Sequence, residues 1–152
     1  MTVDQSSLRL QRTLAAPPAR VYRAWLEPEL LQRWMSPASF EVSRVEVDER
    51  PGGHLHIWQT SADGDVGGME GDILELVPDE RIVFDWRFVG PGRERDLRLD
   101  SRLSITLRAV PEGTELTLVH ELLDPLREAM PQVADNVSRG WGMALDKLEA
   151  AL

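Results

Sequence analysis

His54 and His56 stand two residues apart in a stretch that alternates apolar and polar side chains, so both imidazoles leave a strand on one face. Glu70 or Asp72, on the next such stretch, could bring a carboxylate beside them, and two imidazoles with a carboxylate are a ligand set for a transition metal. The same alternation gives the apolar face to Leu55 and Ile57. The histidines then point to solvent, where a spaced pair alone is weak evidence for an ion. The sequence is therefore read as holding no metal site and no cofactor.

His120 shares parity with Leu116 and Leu118 and points inward with them. A histidine there could orient a polar group of a ligand or exchange a proton near neutral pH. The alternative, which the balance favours, is a core histidine with satisfied nitrogens. Glu75, Asp85 and Arg87 sit between apolar strand positions and read as solvated charges on the outer sheet face. The chain has no Cys, which removes thiolate catalysis, disulfides and Cys-based zinc sites. Gly52-Gly53 and Gly67-Gly68 fall in hairpins rather than ahead of helices, so they are neither a phosphate loop nor a dinucleotide fingerprint, and there is no nucleophile elbow.

The elements that must position these residues follow from the hydrophobic period. Leu8, Leu10 and Leu14 mark a first strand, ended by Ala15-Ala16-Pro17-Pro18. Val21, Tyr22, Trp25 and Leu26 share one helical face, and a second short helix carries Leu30, Leu31 and Trp34. The period then switches to two. Strands are expected over Phe40–Val47, with a bulge between Val42 and Val45, then His54–Gln59, Met69–Val77, Ile82–Phe88, Leu103–Leu107 and Leu116–Leu122. The connections are too short for parallel crossovers, so the strands are antiparallel neighbours. A loop is expected around Asp124-Pro125. Pro131 opens the longest helix, whose stripe is Val133, Val137, Trp141, Leu145, Leu148 and Leu152. Only this helix is long enough to cover one face of the sheet, so the sheet must curve around it. The expected fold class is α+β, with about seven antiparallel strands and one domain over residues 1–152.

Two features suggest a space between sheet and helix. Gly140 and Gly142 flank Trp141 in the helix interior, where glycine either admits close packing or leaves room. Five Trp residues also offer aromatic walls with polar tips, as small-molecule pockets often have. The expected lining is Trp34, Leu55, Ile57, Phe84, Trp86, Leu116, Leu118, His120, Trp141 and Leu145. Ile73 beside Leu74 leaves the inward parity open between Gly71 and Leu76. The formal charge of −9 is interspersed with basic residues and argues against nucleic acid. Arg93-Glu94-Arg95-Asp96 reads as a solvated loop. No apolar run suits a signal peptide or a membrane span, and a cytoplasmic location is expected.

Several segments in order carry a resemblance. They are Ala16-Pro17-Pro18-Ala19-Arg20-Val21-Tyr22-Arg23-Ala24-Trp25, Glu29-Leu30-Leu31-Gln32-Arg33-Trp34 with Pro37, Asp48-Glu49-Arg50-Pro51-Gly52-Gly53, Gly71-Asp72-Ile73-Leu74-Glu75-Leu76-Val77-Pro78, Ile82-Val83-Phe84-Asp85-Trp86, Thr114-Glu115-Leu116-Thr117-Leu118 with His120, and Gly140-Trp141 through Leu148. At this spacing the chain resembles the START-like (SRPBCC) superfamily, in the bacterial branch related to the C-terminal domain of the heat-shock chaperone ATPase activator. The resemblance implies a helix-grip fold with an internal hydrophobic cavity and no universal catalytic residue. The expected role is binding a small apolar molecule. The alternatives are a hydrolase or cyclase acting through His120, and a protein-interaction module that contacts a chaperone or forms a homodimer, with Trp58 as an outward anchor.

Overall fold

The computed structural model describes residues 7–36, 40–90, 92, 100–129 and 131–152; Pro37 and the Arg93–Asp96 run lie outside them. The elements run β1 (Leu8–Leu14), α1 (Pro18–Ala24), α2 (Pro28–Trp34), β2 (Glu41–Asp48), β3 (His54–Ser61) and β4 (Gly64–Val77). They continue with β5 (Arg81–Val89), β6 (Ser101–Val110), β7 (Gly113–Glu121), α3 (Asp124–Ala129) and α4 (Pro131–Ala151). Proline opens both short helices at the first turn, where its missing N–H is not needed.

The strands form one antiparallel sheet in the order β1-β7-β6-β5-β4-β3-β2. Successive strands from β2 to β7 pair as antiparallel neighbours, and β1 lies at the far edge against β7, with Leu8 opposite His120. The curved sheet with α4 across one face is the α+β helix-grip arrangement expected from the sequence. No helix among the described residues is long and apolar enough to cross a membrane.

Two bulges decide which side chains face the core. One, between Val42 and Arg44, lies where the parity change in β2 placed it. The other, between Ile73 and Glu75, settles the ambiguous stretch of β4: Ile73 is buried opposite Phe84, and Leu74 is the extra residue, 42% exposed. The loop expected around Asp124-Pro125 is instead the first turn of a helix, Asp124–Ala129, that buries Leu126. Val133, expected on the inward stripe of α4, is 38% exposed, and Ala134 takes the buried position in that turn.

Three of the polar ties among the described residues fasten the C-terminal half of α4 and the residue after it. Arg12 of β1 pairs with Asp146 at 2.6 Å and donates to the Gly142 carbonyl at 3.2 Å. Lys147 donates to Ser36 Oγ and the Phe40 carbonyl between α2 and β2. Arg20 donates to the Leu152 carbonyl. All three engage the helix from Gly142 onward.

Candidate functional site

The ten residues expected to line a cavity are all buried. The structure brings a subset of them together as an aromatic layer between sheet and α4. Trp86 of β5 and Trp141 of α4 have ring centroids 5.7 Å apart, and Phe84 lies 5.4 Å from Trp86. Trp25, at the C-terminal end of α1, joins from the other side, 6.0 Å from Trp141 and 4.6 Å edge-on to Trp34. Trp25, fully buried, is the ring that links Trp34 to Trp141. Gly71 makes room for this layer. A methyl group there would stand 2.9 Å from the Trp86 ring and 3.1 Å from the Phe84 ring.

His120 sits inside the layer at 0% exposure. Trp141 Nε1–H donates to His120 Nδ1 at 3.1 Å, and Ser101 Oγ lies 2.7 Å from His120 Nε2. The Ser101 hydroxyl gives its one proton to the Trp86 carbonyl at 2.8 Å, so it accepts from His120. One tautomer satisfies every bond: proton on Nε2, lone pair on Nδ1. Burial pushes the His120 pKa down to about 3. The ring is thus neutral and engaged at both nitrogens, the arrangement of a core histidine rather than of a proton carrier near neutral pH. Ser101 could have been found from its parity with Leu103 and Ile105, which points it inward.

Two indoles in the layer differ from the others. Trp34 Nε1 donates to the Ala24 carbonyl, whereas Trp25 Nε1 and Trp86 Nε1 are buried with no hydrogen-bond partner among the described residues. Two open depressions, of about 390 and 350 Å³, lie away from this layer. One is formed by Ala15–Pro18 with Val110–Gly113, the other by Arg33, Lys147, Ala150 and Ala151. Of the glycines beside Trp141, Gly140 borders open space, since a methyl group there would meet nothing within 4 Å, whereas one on Gly142 would stand 3.9 Å from the Arg12 guanidinium.

The outer face departs from the sequence expectation at Arg87. Its parity is outward, yet it is 1% exposed, held by Asp72 at 2.6 Å, Asp100 at 2.9 Å and Glu70 at 3.9 Å. Trp58 is half-covered there, with the Arg44 guanidinium 4.8 Å above its ring. His54 and His56 share this face with stacked rings 4.4 Å apart. A carboxylate oxygen of Glu46 on β2, which sequence reasoning missed, lies within 4.8 Å of a ring nitrogen of each.

Residues 15–152 match the family described as "Activator of Hsp90 ATPase homolog 1-like protein". A solved protein of Chromobacterium violaceum is 36% identical, with TM-score 0.80 and 96% of each chain covered. One of Mycobacterium smegmatis is 25% identical, with TM-score 0.83, covering 99% of this chain and 93% of the other. The human protein named "Activator of 90 kDa heat shock protein ATPase homolog 1" is 33% identical over 87 residues, 57% of this chain but only 22% of the human one. The match from just after β1 through α4, on a helix-grip fold, means that the chain belongs to the Activator of Hsp90 ATPase homolog 1-like family, within the START-like superfamily.

Proposed function

We propose that the chain binds a small, largely apolar molecule that carries a hydrogen-bond acceptor, seated between the sheet and α4 beside Trp86 and Trp141. The observation that carries this reading is the pair of buried, unpartnered indole donors, Trp25 Nε1 and Trp86 Nε1. A buried donor without a partner costs about 1–3 kcal/mol. A ligand oxygen placed in the aromatic layer would recover that energy, and the rings would supply its apolar walls. The other expected lining residues, Trp34, Leu55, Ile57, Phe84, Leu116, Leu118, His120 and Leu145, form the surrounding shell.

Access would come through α4. Its polar ties to the sheet and α2 begin at Trp141, which donates to His120, and continue from Gly142 onward, while Gly140 borders open space and weakens the helix at that point. Lifting the N-terminal half of α4 together with α3 would uncover Trp141 without breaking those ties. The test is titration with a flavonoid such as naringenin, a fatty acid and an aromatic polyketide, followed by tryptophan fluorescence and thermal shift. A ligand at 100 times its Kd should stabilise by about 2.7 kcal/mol. Trp86→Phe, which removes the donor and keeps the ring face, should weaken binding. If no probe moves either signal, and native mass spectrometry of the purified chain shows the bare mass alone, the reading fails.

Contact with an Hsp90-type chaperone is the second reading, favoured by the 87-residue similarity to the human activator. Co-sedimentation with purified chaperone tests it; no complex at tens of micromolar would remove it.

A further inference from the structure

We propose that Glu46, His54 and His56 form a binding site for a divalent first-row transition-metal ion on the outer face of the sheet. The β2–β3 register creates it. Glu46 stands opposite His56, and Asp48 opposite His54, so Glu46 is the direct neighbour of one imidazole and the diagonal neighbour of the other. Side chains two apart on a strand leave it roughly 6–7 Å apart, yet these rings lean together until their centroids are 4.4 Å apart. One ring nitrogen from each histidine and a Glu46 carboxylate oxygen then lie within 4.8 Å of one another. All three residues are partly buried, though the Glu46 side chain stays 41% exposed. Small rotations about their side-chain bonds would close the three donors onto one ion.

The neighbouring charges favour Glu46 as the third donor. Glu70 and Asp72, on β4, are drawn to the buried Arg87 guanidinium, at 3.9 and 2.6 Å. Glu70 also stands 4.0 Å from His56 Nδ1, placed as the outer carboxylate that orients a liganding imidazole. Glu46 itself pairs with Arg44, but that pair is exposed and is readily displaced by an ion. Two imidazoles with one carboxylate suit zinc, nickel, cobalt or copper; magnesium and calcium prefer all-oxygen sets. The site lies on the face opposite the aromatic layer, so it stands or falls independently of ligand binding there.

Zinc titration of the full chain by calorimetry tests it, with circular dichroism and Tm of the metal-free variants as folding controls. The expected result is one equivalent bound with a micromolar or tighter Kd. Losing even an outer partner costs 10–100-fold in affinity, so His54→Gln and His56→Gln should each cost roughly 100-fold or more, and Glu46→Gln at least tenfold. Arg44→Met, which frees Glu46, should bind zinc at least as tightly as the parent. Absence of stoichiometric binding, or unchanged affinity in a folded His54→Gln/His56→Gln double variant, would overturn the site.

Discussion

Across β4 to β7 the inner face of the sheet sets Ile73, Phe84, Leu103 and His120 side by side, and across β2 to β5 the outer face sets Glu46, His56, Glu70 and Arg87 the same way. Both rows contain a histidine. In the inner row it is fully enclosed, with each ring nitrogen committed to a neighbour. In the outer row the histidine is half-buried between two carboxylates. The chemistry of the two imidazoles is therefore set by the pleat. Facing inward, burial removes the charged form and the ring becomes a hydrogen-bonding spacer among aromatic groups. Facing outward, the ring instead stands among charged side chains, with a Glu70 oxygen 4.0 Å from its Nδ1.

The comparison can be broken most sharply at Trp141. Its replacement by Ala removes the indole that α4 contributes to the aromatic layer and orphans His120 Nδ1. Urea denaturation should show a loss of about 3–5 kcal/mol; a loss below 1 would mean that the inner row does not hold the helix. Acid should act next. The unfolded chain takes up the His120 proton near pH 6.5, while the folded chain resists it until about 3. The contribution of this group is therefore complete above pH 6.5 and is lost as pH falls toward 3, at roughly 1 kcal/mol per pH unit. The difference in stability between the parent chain and His120→Asn should shrink across that window. A constant difference would place the ring in water.

Gly71→Ala sharpens the comparison inside the inner face. Its methyl group meets two rings at about 3 Å, and overpacking of this kind costs about 1–3 kcal/mol. Gly140→Ala is the counterpart in α4. Nothing stands near the added carbon, so Tm should rise, by a gain of up to about 1 kcal/mol. If ligand access depends on a weak point in the helix, that same variant should also slow the binding of naringenin in stopped-flow fluorescence.

Much of the fold was legible because period-two alternation and short turns leave antiparallel neighbours as the only solution. The long amphipathic helix then had one face to cover. The bulge in β2 could be read from the parity change after Val42. The bulge at Leu74 could not, because adjacent Ile73 and Leu74 fit either parity until β5 is aligned beside them. Asp124–Ala129 hid its helix behind a proline and a single buried leucine. The site residues divide in the same way. Inward parity found His120 and both β5 aromatics, but it could not reveal that Trp25 and Trp86 keep unpartnered donors while Trp34 does not. Arg87 has an outward parity and a buried position because three carboxylates from β4 and the start of β6 gather over it. Glu46 joins the histidines only through the β2–β3 register, which depends on a bulge and cannot be counted from residue spacing.

The pairing of Leu8 with His120 has a consequence for how the chain is made. Every other strand meets a partner that leaves the ribosome soon before or after it, whereas β1 must wait until β7 has been synthesised after all the strands between them. Its backbone donors and acceptors stay unpaired throughout that interval, and contacts between such distant parts of a chain are the slow ones to form. The β2–β7 meander can assemble during translation as a local unit. Completion of the edge and seating of the final helix, which Arg12 joins to β1, then become one late event.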